Sequence, residues 1–311
     1  MQSLLSVKNN STRPYRKLHR HAGNLKAMAA LLALFGSGLL LPAAEPPHDL
    51  TLDLGNGVSL KAVLIPAGTF TMGSPPDKPQ TAPPTEADKA RHAHPNEMPQ
   101  HQVTISKPFY LGIYPVTQAQ FEALMGPYAP VDPVTHGTNH NLIVGPDYPV
   151  QPMSYDDITA FCQKLSAKTG RKVRLNTEAE FEYACRAGTQ TTFFWGDDPT
   201  LGEDYGWYQK GESAHPHPVG QKKPNPWGLY DLGGNISEVC SDWGAHYPHP
   251  TEADYTAAPV TDPTGPPTGT QHVARGLQGW IGHSRSAGDR AFYFHPDGGD
   301  HFFGFRVVIE P

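Results

Sequence analysis

The chain has 311 residues, of which 38% are hydrophobic and 17% charged, with 13 Tyr, 13 Phe and 5 Trp. This is enough apolar and aromatic bulk for a packed core, which excludes disorder as the state of most of the chain. Glycine (31) and proline (33) together make up about a fifth of the sequence, which excludes a helical bundle or coiled coil and favours short elements joined by ordered loops.

The formal net charge is −6, yet residues 1–44 carry Arg13, Arg16, Lys17, Arg20 and Lys26 and no acid. The remainder is therefore more acidic than the whole. An acidic surface repels phosphate backbones, so nucleic acid is not an expected partner. Such a surface suits a calcium-binding or soluble extracytoplasmic protein. In the first segment a basic stretch runs into the apolar residues 28–41, followed by Pro42-Ala43-Ala44. That is the order of a secretory signal, and the apolar run falls short of the roughly 20 residues of a membrane span. The expected organisation is a signal peptide over 1–44, a linker over 45–59 and one domain over 60–311. Export follows, to the periplasm or beyond. Membrane attachment arises only if the leader stays uncleaved.

In chain order, strand-like runs lie at 62–65, 103–106 and 109–112. Thr117 with Gln120 gives a capping-box pattern ahead of apolar Phe121, Leu124 and Met125. Ser154 with Asp157 opens a second helix, whose Ile158, Phe161, Cys162 and Leu165 fall at i, i+3, i+4 and i+7 and which Gly170 closes. A strand is expected at 172–175. Thr177 with Glu180 opens a third helix that buries Phe181, Ala184 and Cys185 and ends at Gly188. A last strand is expected at 305–309. Pro-rich loops occupy 74–100 and 246–270, and there is no internal repeat.

Several words of this sequence resemble, in order, the formylglycine-generating enzyme (sulfatase-modifying factor) family. They begin with Ala67-Gly-Thr-Phe-Thr-Met-Gly73, Phe109-Tyr-Leu-Gly112 and Val116-Thr-Gln118. Arg174-Leu-Asn-Thr-Glu-Ala-Glu180, Tyr183-Ala-Cys-Arg-Ala-Gly-Thr189 and Pro218-Val-Gly-Gln221 continue the series. Asn225-Pro-Trp-Gly-Leu-Tyr-Asp231, Gly234-Asn235, Asp242-Trp243, Asp262-Pro-Thr-Gly265, Arg275-Gly276, Arg285-Ser-Ala287 and Gly304-Phe-Arg306 complete it. Each fragment alone is weak; the ordered set is specific. The resemblance implies an α+β fold: a single C-type-lectin-like domain with little regular secondary structure, long loops, calcium sites and a surface groove.

By the same resemblance, the family's oxidase holds copper(I) on two cysteines between the Arg-Gly turn and the Arg-Ser-Ala strand, where soft thiolates suit that ion. Here the stretch reads Arg275-Gly-Leu-Gln-Gly-Trp-Ile-Gly-His-Ser-Arg-Ser-Ala287 and contains no cysteine. Copper is not expected as a cofactor, and no catalytic residue is assigned. Cys162 and Cys185 lie on apolar helix faces, where a thiol acts as a small hydrophobe. Cys185 matches a position that is disulfide-bonded in some relatives to a cysteine near Arg-Ser-Ala; Ser284 and Ser286 occupy that region here. Cys240 has no obvious partner.

The best-marked site is Asp231-Leu-Gly-Gly-Asn-Ile-Ser-Glu238. Calcium takes several oxygen ligands in a bent loop, and the resemblance assigns the side chains of Asp231 and Glu238 with the carbonyls of Gly234 and Ile236. Asn235 is expected to brace the loop, and a turn held by hydrogen bonds alone is the alternative. Tryptophans that flank this glutamate in the family are replaced by Ser237 and Val239. A second calcium site near Asp204-Tyr-Gly-Trp207 is not carried over. His92/His94, His215/His217 and His246/His249 have spacings that two-point metal binding can use. Trp280, His283, Arg290 and His295 are expected to line a pocket for a protein, peptide or small-molecule ligand. Two functions follow. The first is an exported, calcium-stabilised, non-catalytic binding or accessory module. The alternative is a divergent maturation oxidoreductase or a formylglycine-generating oxidase acting on a cysteine-containing protein.

Overall fold

The computed structural model describes residues 48–73, 99–128, 143–151, 153–207, 215–244, 257–276 and 303–311, and the backbone of 292–294. Strands β1 (Asp49–Gly55), β2 (Val58–Ile65), β3 (Gly68–Met72), β4 (His101–Ile105) and β5 (Phe109–Gly112) come first. Helices α1 (Gln118–Met125) and α2 (Tyr155–Thr169), strand β6 (Val173–Leu175) and helix α3 (Glu178–Arg186) follow. After a 3-10 turn at Pro199–Asp204 come β7 (Ser237–Gly244), β8 (Val260–Thr261), β9 (Gln271–Arg275), β10 (Phe292–Phe294), β11 (Phe303–Gly304) and β12 (Val307–Ile309). The result is the expected α+β class.

The strands form a five-stranded sheet in the order β1-β2-β5-β12-β6, a four-stranded sheet β10-β9-β7-β11 and a three-stranded sheet β3-β4-β8. Alternation divides the five-stranded sheet between two cores. Leu60, Ala62 and Tyr110 face Phe121, Ile158, Phe161 and Leu165 of α1 and α2. Val63, Ile65, Phe109 and Leu111 face Phe181, Ala184 and Cys185 of α3. The four-stranded sheet is split the same way, with Val239 and Ala274 in the first core and Cys240 and Val273 in the second.

The three caps form as their spacing predicts. Thr117 and Thr177 make complete capping boxes with Gln120 and Glu180, and the Ser154 hydroxyl accepts from the Asp157 N–H. The end of α3 falls one residue earlier than expected: Ala187 takes the left-handed conformation (φ 47°) and Gly188 follows it (φ 86°).

The linker over 45–59 is a correction. Residues 49–59 form most of a hairpin in which Leu52 pairs with Leu60 and Asp53 with Ser59. Its two-residue turn, Asn56-Gly57, has positive φ at both positions (54° and 77°), the chemistry that such hairpins require. The domain therefore starts before residue 60. The 246–270 loop also contains a strand, β8, which runs parallel to β4.

Every residue of α3 is buried, charged ones included. Burial of charge is tolerated only with partners in place, and each charge on this helix has one. Arg174 grips Glu180 through both Nη atoms at 2.7 Å, while Glu180 also closes its capping box. Arg186 Nε donates to Glu182 Oε1 at 2.8 Å. Arg275, 1% exposed, reaches Glu178 Oε1 at 2.9 Å and lies 3.1 Å from Glu182 Oε2, the latter a charge contact rather than an aligned hydrogen bond. Two acids and two guanidiniums thus balance around Glu178, Glu182, Arg186 and Arg275.

Asp242 enters this cluster from β7, accepting from the Glu178 N–H at 2.9 Å and from the Ser241 hydroxyl. Burial, and then the neighbouring Glu178 carboxylate, push the Asp242 carboxyl up to about 7. The fold therefore holds the Asp242 proton more tightly than the unfolded chain does. This stabilisation is complete below pH 4 and is lost as pH rises toward 7, at most about 4 kcal/mol. Asp242→Asn should remove that slope while keeping an acceptor for the Glu178 N–H. Urea unfolding at steps from pH 4 to pH 7 should show the variant gaining on the wild type with each step. Parallel curves would count against a proton on Asp242.

Candidate functional site

The 231–238 segment is built around a buried arginine on the C-terminal strand approach. Arg306 and Glu238 are both 0% exposed. Arg306 Nε and Nη2 donate to the two oxygens of Glu238, each at 2.8 Å. Arg306 Nη1 donates to the carbonyls of Gly112 and Ile113, and Nη2 also to that of Tyr230. All five guanidinium N–H groups are thereby used. Glu238 lies on β7 rather than in the loop, with its backbone parallel to Gly304 of β11. Gly304 is obligatory there: a β-carbon would stand 2.8 Å from the Val150 carbonyl oxygen and 2.5 Å from Ile236 Cδ1.

Asp231 is 2% exposed and its backbone is left-handed (φ 61°). Its Oδ2 accepts from the Gly220 N–H at 2.8 Å, and its Oδ1 is buried with no hydrogen-bond partner among the described residues. Burial pushes this carboxyl up to about 6, against the Gly220 hydrogen bond and the Arg306 charge, which pull it down. Gly234 has φ 153° and its carbonyl accepts from the Trp207 N–H at 3.2 Å. Asn235 braces the loop, its Oδ1 accepting from the His217 N–H and its Nδ2 donating to the His217 carbonyl.

The two acids expected to share a cation have different surroundings. Asp231 does feel Glu238, but Glu238 is held by Arg306 at both oxygens. Of the two acids, Asp231 is the one with an oxygen, Oδ1, that has no hydrogen-bond partner among the described residues. That atom is a hard oxygen donor of the kind calcium takes, and on this ground Asp231 fits the ion. Glu238 could take part only while remaining bonded to Arg306. Among the described residues no group of three or more His, Cys, Asp or Glu side chains converges as a ready metal cage.

The thiols are chemically quiet. Cys162, Cys185 and Cys240 are free and buried. Burial pushes Cys162 and Cys185 up to about 12 and Cys240 well above its usual value. Reactive cysteines need the opposite. Cys240 Sγ instead accepts from Asn176 Nδ2.

Asn225, opening the Asn-Pro-Trp-Gly-Leu-Tyr-Asp word, ties the loop to α3. Its Nδ2 donates to the carbonyls of Ala184 and Cys185, and its Oδ1 accepts from the Trp227 and Leu229 N–H groups. His217, stacked on Trp207 at 3.7 Å, is lowered to about 4 by burial and by His215. Another imidazole, fully buried, went unmarked in the sequence. His272 lies between the rings of Tyr155 (3.7 Å) and Trp243 (3.8 Å), and burial lowers it to about 4. Its place on a strand, opposite Trp243, is the only signal that could have suggested it. Trp280, His283, Arg290 and His295, expected to line a pocket, lie outside the described residues, as do His92, His94, His246 and His249.

The family model described as the sulfatase-modifying factor enzyme 1-like domain matches residues 57–311. The chain is 29% identical to the formylglycine-generating enzyme of Bos taurus over 269 residues, 70% of this chain and 65% of that protein. It thus spans just under two-thirds of that relative's length. It is 26% identical over 238 residues to the inactive C-alpha-formylglycine-generating enzyme 2 of Bos taurus, 60% of this chain and 72% of that one. In structure it is similar to PvdO from Pseudomonas aeruginosa, with a TM-score of 0.63 over 86% of this chain and 100% of that one at 24% identity. The ordered words, the fold and these likenesses agree: the chain belongs to the sulfatase-modifying factor enzyme 1-like family.

Proposed function

We propose that this protein is an exported, calcium-stabilised binding or accessory module of its family that does not generate formylglycine. The observation that carries the reading is chemical: residues 275–287, where relatives are expected to hold copper(I), contain no cysteine. The three thiols present lie elsewhere, are buried and have raised pKa values. One of them cannot reproduce a two-thiolate site. The inactive C-alpha-formylglycine-generating enzyme 2 of Bos taurus, by its name, supports the idea that family members exist without the activity. Ligand binding is assigned to Trp280, His283, Arg290 and His295, with a peptide, protein or small molecule as occupant.

Calcium belongs in this reading through Asp231. A buried carboxylate oxygen with no partner costs free energy, and a cation ligated by Asp231 Oδ1 and the carbonyls of Gly234 and Ile236 offsets it. Bound calcium would supply positive charge and rigidity, with no part in redox chemistry.

Purified protein combined with copper and a Cys-x-Pro-x-Arg peptide under reducing conditions should show no loss of peptide thiol by mass spectrometry. Turnover that persists after metal repurification, and is lost in Trp280→Ala or His283→Ala, would restore the oxidase reading. Calcium at about 100 times its Kd should stabilise the fold by about 2.7 kcal/mol, seen as a higher melting temperature than in chelator. Asp231→Asn should abolish that difference. Identical melting curves with and without chelator, together with no calcium by elemental analysis, would remove calcium from the proposal. Native protein should begin near residue 45 in an extracytoplasmic fraction, as N-terminal sequencing would reveal; an intact Met1 in the cytoplasm would refute export.

A further inference from the structure

Two imidazoles meet on the segment that leads into Gly220. His215 and His217 flank Pro216, and their ring centroids are 4.7 Å apart with planes inclined by 39°. Pro216 fixes its own φ and so limits how far the two can splay. His217 is held from two sides: its ring stacks on Trp207 at 3.7 Å and 11°, and its backbone is bonded in both directions to Asn235. His215 Nδ1 lies 3.0 Å from the carbonyl oxygen of Pro216. A carbonyl only accepts, so in the neutral ring Nδ1 carries the proton and Nε2 presents the lone pair. A ring N–H given to a backbone carbonyl is the usual support of a metal-ligating histidine.

With a nitrogen of each ring turned to one ion, the ring separation suits two cis ligands. An imidazole nitrogen sits about 2.1 Å from a zinc-like ion, which places the ring centroid about 3.2 Å from it. Two centroids 4.7 Å apart then subtend about 95° at the metal, within reach of tetragonal or distorted tetrahedral coordination. We propose that His215 and His217 form a two-imidazole site for a divalent transition ion, copper(II) before nickel(II) and zinc(II), with water completing the coordination. The order follows the general affinity series for nitrogen ligands. Hard calcium prefers oxygen, so it does not compete for the two imidazoles, although His217 is tied to Asn235 of the 231–238 loop.

Two features set a moderate affinity. His217 has further contacts of its own, so the metal enters by exchange. The Lys222 ammonium sits 4.1 Å from the Trp207 ring centroid and donates to the Glu203 carbonyl at 2.6 Å, where its charge opposes a cation at the neighbouring His217.

The test uses the full chain, titrated with copper(II) and read by tryptophan fluorescence; the difference between wild type and Trp207→Phe isolates the signal of Trp207. That signal should be quenched saturably. His215→Asn and the longer His215→Gln should each weaken it at least about tenfold with unchanged circular dichroism, and Lys222→Met should tighten it. Excess calcium should leave it unaltered. Quenching of Trp207 that is absent, that survives both His215 variants, or that calcium abolishes would overturn the assignment.

Discussion

The clamp of Arg306 on Glu238 is the interaction on which the rest of the domain depends. It joins four stretches far apart in sequence: the end of β5, the Tyr230 carbonyl just before Asp231, the first turn of β7, and the C-terminal approach to β12. A guanidinium with every N–H bonded, facing a carboxylate with both oxygens bonded, recovers the large cost of removing two charges from water. Loss of one partner leaves the other buried and uncompensated, typically at about 3–5 kcal/mol. Phe109-Tyr-Leu-Gly112, Leu229-Tyr-Asp231 and Gly304-Phe-Arg306, distant in the chain, are walls of this one polar joint.

The same solution recurs around α3. A helix buried on all sides would ordinarily be apolar, yet this one carries Glu178, Glu180, Glu182 and Arg186 and borrows Arg174 and Arg275 to balance them. Such pairs add little net stability over apolar packing. They do fix position, since charges of this kind tolerate only one arrangement of strands and helix. A domain with short strands and long loops has few other means of holding its sheets in register.

Asp231 lies close enough to the Arg306–Glu238 clamp to feel both charges; one of its oxygens is served by Gly220, and the other has no hydrogen-bond partner among the described residues. The division of labour between the two acids of the 231–238 segment follows from this. Glu238 belongs to the framework, and Asp231 is the acid to which a cation would bind. Residues 275–287 contain no cysteine and the three thiols of the chain are buried; the proposed non-catalytic role rests on both.

Much of this was legible in the sequence. Thr117/Gln120, Ser154/Asp157 and Thr177/Glu180 mark helix starts because a cap is a local bargain among three or four neighbouring residues. The strand 109–112 and the apolar faces of α2 and α3 follow from periodicity in the same way. Asn56-Gly57 was equally local, and the hairpin around it was there to be read. By contrast, β7 and β9 are buried on both faces and carry Glu238, Asp242, His272 and Arg275, so neither alternation nor composition marks them as strands. Which acid is paired and which is left wanting depends on Arg306, some 70 residues away in the chain. The sequence by itself determined the family, the caps and the missing thiolates, because each is a property of residue identity and short spacing. Only the tertiary structure decided the partner of each buried charge, because in a low-dielectric interior that choice is made by proximity in space.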